Sequence, residues 1–199
     1  MKTHKRQLVA MSGGGFSTQP SAYIDEFIVQ LTGKSKCTIA FIPTASRDAQ
    51  GYIDKFHQAF HAHHTIHFDT ATLASLHVAE VVEAVDILYV GGGDTKYLLD
   101  TWRATGFDQV IIEAYQQGVI LAGISAGAMC WFEKCFSDNI CVEGLGIVKG
   151  TYCPHYQDDE VCQAFDTWHE TQSLQAYRLA DEQTLHFCDE QLQAMLTTY

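Results

Sequence analysis

Gly123-Ile124-Ser125-Ala126-Gly127 directly follows the apolar run Val119-Ile120-Leu121-Ala122 and directly precedes Ala128, Met129, Trp131 and Phe132. Small residues two positions either side of a serine, set between strand-like and helix-like sequence, suit a sharp strand-to-helix turn. Such a turn holds the serine hydroxyl out at the carboxyl edge of a sheet. Backbone N–H groups opening the helix can there stabilise negative charge. The chemistry expected of Ser125 is nucleophilic attack on an acyl carbon, with the N–H of Ala126 close to the developing oxyanion.

A serine hydroxyl is a poor nucleophile until a base takes its proton, so a histidine and a group to orient it are required. Beyond the turn only His155, His169 and His186 are available. His155, in Tyr152-Cys153-Pro154-His155-Tyr156, lies just past the strand-like Gly144–Val148 in a loop pinned by proline, and is the candidate base. His169 falls in a polar helical stretch and His186 ends the strand-like Thr184-Leu185-His186-Phe187, so both read as structural. Glu133 and Asp138 both lie between Ser125 and His155 and are the candidate acids. Asp138, in the loop Phe136-Ser137-Asp138-Asn139, is the preferred acid because a loop carboxylate can turn back toward an imidazole. Glu133, two turns along the helix expected after the nucleophile, is the alternative. Gly92 and Gly93, in Gly91-Gly92-Gly93-Asp94-Thr95, are candidate partners in an oxyanion hole, since glycines let backbone amides come close to an alkoxide.

These residues need a frame, and strand-like and helix-like segments alternate along the chain. Strands are expected at Gln7–Met11, Cys37–Pro43, Thr65–Phe68, Ile87–Val90 and into the serine turn. Helices are expected over Pro20–Leu31, Tyr52–His63, about Ser75–Ala84, and from Lys96 onward. Unbroken apolar strands separated by helices predict an α/β fold: a doubly wound, mostly parallel sheet with helices on both faces, as one domain over residues 1–199. Ligands of such sheets gather beyond the carboxyl ends of the strands. Gly13–Gly15, Gly91–Thr95 and Ser125 all fall at such ends and are expected to converge. Ser12-Gly13-Gly14-Gly15 lacks both the lysine of a phosphate-binding loop and the spaced glycines of a dinucleotide fingerprint, so no nucleotide cofactor is expected.

Composition narrows the partners. Twelve Lys and Arg against 24 Asp and Glu give a net charge of −12, and no basic cluster exceeds Lys5-Arg6, which argues against nucleic acid. No apolar run has membrane-spanning length, and Met1–Arg6 leads into a strand rather than a signal-peptide core, so a cytoplasmic protein is expected. Seven scattered cysteines without CxxC spacing read as free thiols. His57, His61, His63 and His64 read as a solvated helix face rather than a metal site. The remaining expectation is a monomer or homodimer, without metal or other cofactor, acting on a small substrate.

Taken together, Gly91-Gly92-Gly93-Asp94-Thr95, Gly123-Ile124-Ser125-Ala126-Gly127-Ala128, Ser137-Asp138 and Cys153-Pro154-His155-Tyr156 resemble the serine peptidase family of dipeptidase E (aspartyl dipeptidase) and cyanophycinase. The likeness extends to Leu185-His186-Phe187. It is greatest with the peptidase E-like branch whose turn helix continues as Cys130-Trp131-Phe132-Glu133 does. The resemblance implies a fold related to class I glutamine amidotransferases and hydrolysis of short peptides through an acyl-enzyme. In it Ser125 is the nucleophile and His155 the base; Asp138 matches the acid of the dipeptidases, and Glu133 the glutamate of other members. It also implies dipeptides with N-terminal Asp as substrates. The segment 151–177 carries no Lys or Arg, however, and Gln157-Asp158-Asp159-Glu160 follows the histidine, so a cation for such a side chain would have to come from Arg47 or Arg178. An amidase- or esterase-type hydrolase on the same scaffold, or a binding module without turnover, are the other readings of this sequence.

Overall fold

Side chains alternate between the two faces of strands that are buried on both, so one sheet separates two apolar layers. The computed structural model describes residues 5–18 and 23–197. In β1 (Gln7–Met11), Leu8 and Ala10 join one cluster while Val9 and Met11 join the other. The same period of two runs through β2 (Thr38–Ile42), β4 (Ile87–Val90) and β5 (Ile120–Ile124). On one face α1 (Tyr23–Gln30) and α2 (Gln50–Ala59) contribute Ile24, Ile28, Ile53 and Phe56. On the other, α3 (Leu76–Ala84), α4 (Thr95–Thr105) and α5 (Phe107–Gln116) contribute Val82, Leu98, Trp102 and Ile111. Residues 19–22 lie outside the described residues, so only the part of the expected 20–31 helix from Tyr23 onward is seen.

The main sheet has seven strands in the order β11-β10-β1-β5-β4-β2-β3, with β3 at His64–His67, β10 at Gln183–Cys188 and β11 at Gln191–Thr197. β1, β5, β4, β2 and β3 run parallel, while β10 and β11 add an antiparallel edge. The expected doubly wound α/β architecture is therefore present. β5, which carries the serine turn, sits between β1 and β4, so the loops leaving all three strands open at the same edge.

The chain departs from simple alternation after Ser125. The helix that follows, α6, is a single turn (Ala126–Met129), and the chain re-enters strand at β6 (Phe132–Ser137). The helix expected to carry Glu133 is thus already over, and Glu133 lies on a strand. β6 belongs to a second sheet in the order β7-β6-β8-β9, with β7 at Ile140–Glu143, β8 at Val148–Cys153 and β9 at Ala176–Arg178. The strand expected at residues 144–148 begins at its last member and runs on to Cys153, delivering Pro154-His155 at its carboxyl end. α7 (Asp159–His169) is capped by Asp158, whose side chain accepts from the amides of Glu160 and Val161. No helix among the described residues is long and apolar enough to cross a membrane.

Candidate active site

The serine turn is as tight as its glycines allow. Ser125 sits at φ 51°, ψ −111°, outside the regions that L-residues favour. A Cβ on Gly123 would run into the carbonyl of Gly127, and one on Gly127 into those of Val90 and Gly91. The Ser125 N–H is held by the Met11 carbonyl at 2.9 Å, and the Ser125 carbonyl accepts from Ala128 and Met129, which locks the turn to β1 and to α6.

Ser125 Oγ lies 3.0 Å from Nε2 of His155, within hydrogen-bond reach of the base that the sequence nominates. His155 is itself in a left-handed conformation, φ 57°, with its carbonyl accepting from the amides of Gln157 and Asp158. Its N–H donates to Ser12 Oγ at 2.8 Å, and that hydroxyl donates to the Leu179 carbonyl at 3.0 Å. Ser12 is fully buried, so it ties the loop of His155 to the loop after β9.

The carboxylate on Nδ1 of His155 belongs to Asp181, to which it is hydrogen-bonded. This corrects both sequence-derived acids. Asp138 occupies the two-residue turn between β6 and β7, with Asp138 and Asn139 both at positive φ (53° and 59°), and its carboxylate accepts from Ser137 Oγ. Glu133 accepts from the Gly150 N–H and from Lys149, and the Gly150 bond holds its carboxyl below the usual carboxylate range. Asp181 lies beyond β9 in Leu179-Ala180-Asp181-Glu182, later in the chain than the histidine and outside the interval between Ser125 and His155 in which the acid is expected. The available signal was a polar break between two apolar segments near the carboxyl edge of the sheet.

Asp181 is also well placed by its neighbours. Its N–H donates to the side-chain carbonyl of Gln157 at 2.8 Å, and a Cβ on Gly13 would stand 3.2 Å from its Oδ1. The end of β1 is therefore common ground: Met11 holds the turn of Ser125, Ser12 the loop of His155, and Gly13 makes room for Asp181. Two of the three expected loops meet here, and the third arrives through Gly93.

Gly92 and Gly93 divide the glycine turn between them. Gly92 packs against the turn, its notional Cβ 3.4 Å from Ser125 Cβ, but its N–H donates to Tyr52 Oη at 3.3 Å. That bond removes Gly92 as a free oxyanion donor. Gly93, at φ 141°, packs so closely on the Ala45 carbonyl that no side chain would fit, and it lines the cavity at Ser125. Among the described residues, no protein acceptor takes the N–H of Gly93 or of Ala126.

The cavity at Ser125 encloses about 240 Å³. Met129, Phe136, Val161, Ala164 and Phe165 supply an apolar wall, and Asp138, Glu160 and His155 stand in its lining. Cys153 lines it too, but burial pushes that thiol up to about 12, which keeps it protonated and a poor competitor to Ser125. Buried Cys130, five residues after the nucleophile position, is likewise raised by desolvation. Arg47 pairs with Asp94 and lies over the ring of Tyr97, while Arg178 pairs with Asp166. Neither arginine lines the cavity. His169 is hydrogen-bonded to the Leu174 carbonyl and His186 to the Gln7 side chain. His57 lies against Thr65 and His67 rather than on an open face, and among the described residues no group of three or more His, Cys, Asp or Glu could hold a metal ion.

The chain is similar to known peptidases over nearly its whole length. The sequence profile of Peptidase family S51 matches residues 8–195. An uncharacterized peptidase, YgaJ of Bacillus subtilis (strain 168), is 36% identical over 198 residues, covering 94% of this chain and 85% of that protein. Another, Lmo0363 of Listeria monocytogenes, is 29% identical over 148 residues, 67% of this chain and 71% of that one. A crystal structure from Listeria monocytogenes EGD-e, described as a candidate peptidase E, superposes with a TM-score of 0.74 at 20% identity over 97% of this chain and 98% of that one. The structure of a peptidase from an acI-B1 Actinobacterium gives 0.70 at 22% identity, over 93% and 84%. At those identities the two structures speak for the fold.

Proposed function

Because the chain belongs to peptidase family S51, we propose that it is a serine peptidase hydrolysing short peptides through Ser125, His155 and Asp181. The observation that carries this reading is the hydrogen-bonded series Ser125 Oγ, His155 Nε2, His155 Nδ1, Asp181 Oδ1, of which Ser125 and His155 line a cavity.

In this mechanism Ser125 Oγ attacks the scissile carbonyl carbon while His155 Nε2 takes its proton. Asp181 holds the imidazole with Nδ1–H toward itself and favours the imidazolium that forms. The N–H groups of Ala126 and Gly93 are the donors to the oxyanion, with Gly92 spacing the loop from the turn. His155 then returns its proton to the leaving amine, and water, activated by the same histidine, releases the acyl group from Ser125. A cavity of about 240 Å³ falls below the ~300–1,000 Å³ of clefts that enclose drug-sized ligands, which favours a substrate of a few residues. The reading includes a cytoplasmic location, supported by the buried free thiols Cys37, Cys130, Cys135 and Cys153.

A fluorophosphonate probe tests the nucleophile. Mass spectrometry should find a single adduct on Ser125, absent in Ser125→Ala and slowed in His155→Ala. Labelling that persists in Ser125→Ala would overturn the assignment.

A further inference from the structure

We infer that the cavity beside Ser125 receives an uncharged, apolar side chain from the residue whose carbonyl is attacked, and rejects a carboxylate there. The inference rests on the peptidase reading above and specifies its substrate class. That residue's Cα is one bond from the carbon that Ser125 attacks, so its side chain must occupy space adjoining Ser125. The space on offer is walled by Met129, Phe136, Val161, Ala164 and Phe165.

Charge independently argues against a carboxylate there. No Lys or Arg lines the cavity, whereas Asp138 and Glu160 do, and among the described residues neither carboxylate forms an ion pair with a cation. Arg178 comes near, with its guanidinium carbon 5.2 Å from the centre of the Phe165 ring. It is committed, however, to Asp166 at 2.9 Å and is not part of the lining. Asp166 also accepts from Tyr156 Oη at 2.5 Å, so freeing the arginine would dismantle a bonded group. A substrate carboxylate would thus lose its water against an apolar wall and meet two like charges without a counter-ion. A leucine, methionine or phenylalanine side chain in the same place gains from leaving water.

The test separates the chemistry from the selectivity. p-Nitrophenyl acetate, whose acetyl group places no side chain in the cavity, should give a burst of p-nitrophenol that is absent in Ser125→Ala. Dipeptides with N-terminal Leu, Met, Phe, Ala and Asp and a common second residue are then compared by kcat/KM. The expected result is a preference for Leu, Met or Phe over Asp of about 100-fold. Glu160→Arg should narrow that ratio at least 10-fold, and Ala164→Phe, which fills the wall, should lower the Leu-to-Ala ratio at least 10-fold. A normal burst with Asp peptides cleaved best would overturn the inference and leave the peptidase reading intact. Ratios that move in neither variant would overturn it as well, by showing that another surface selects the side chain. Absence of the burst would remove the peptidase reading and the inference together.

Discussion

Asp181 and Nδ1 of His155 are hydrogen-bonded across 26 positions of sequence, and the acid follows the base in the chain. Both side chains are accessible, 43% exposed for His155 and 44% for Asp181. A buried acid in a serine peptidase triad is worth about 10⁴ in kcat when changed to the amide. Solvent can partly replace an exposed one, so Asp181→Asn is expected to lower kcat by roughly 10²–10³. Steady-state kinetics on a short peptide or on p-nitrophenyl acetate would measure it. Glu133→Gln, whose bonds run to Gly150 and Lys149, should stay within 10-fold of wild type.

The strain at Ser125 predicts a gain of stability on replacing it with glycine. Glycine accepts φ 51°, ψ −111° without steric cost, whereas the native serine carries on the order of 1 kcal/mol or more. Ser125→Gly should be inactive yet melt about 2–4 °C higher, for a chain of this size. Thermal unfolding followed by circular dichroism provides the comparison, and a lower melting temperature would mean the turn is relaxed.

Gly127→Ala should act in the opposite direction. Its new methyl group would meet the Gly91 carbonyl at 2.8 Å and the Val90 carbonyl closer still, and neither is a side chain that can swing away. A destabilisation of about 1–3 kcal/mol is expected, with activity lost through displacement of Ser125. Urea denaturation at constant m-value reports the first, and probe labelling the second.

Ser12 bridges two loops from a fully buried position, so Ser12→Ala leaves the His155 N–H without its acceptor, while the Leu179 carbonyl keeps only the Tyr156 N–H. The cost expected is about 1–3 kcal/mol. Because the anchor of the histidine goes with it, kcat should fall more than KM rises.

Asp25 predicts a pH dependence away from the site. Burial pushes its carboxyl up to about 7 from an ordinary value of 3.8, despite a hydrogen bond from Tyr89 Oη at 2.9 Å, and its second oxygen has no partner. Between these values the folded chain holds a proton that the unfolded chain has released. Stability therefore falls as pH rises from about 4 to about 7 and levels off above, by on the order of 4 kcal/mol from this group. Asp25→Asn should abolish that part of the slope. Denaturation curves at half-unit pH steps would show it, and an unchanged slope in the variant would refute the assignment.

The local half of this protein was legible in its sequence. Unbroken apolar runs such as Leu8–Met11 and Ile87–Val90 make strands buried on both faces, and glycines flanking Ser125 make the tight turn, because these patterns depend on backbone sterics and on local apolar character. Pro154 and the strand before it likewise marked His155. Tertiary structure alone decided which carboxylate meets His155. Asp138, Glu133 and Asp181 have the same chemistry, and nothing local distinguishes them; a hairpin turn took Asp138 aside, a second sheet bound Glu133 to Gly150, and the loop after β9 brought Asp181 to the imidazole. The same holds for Gly92, whose amide was diverted by a tyrosine 40 positions away. Pairing along the chain follows from short-range geometry, whereas contacts between distant loops depend on strand order, and here the decisive neighbour was the end of β1, where Met11, Ser12 and Gly13 gather the residues that the sequence holds apart.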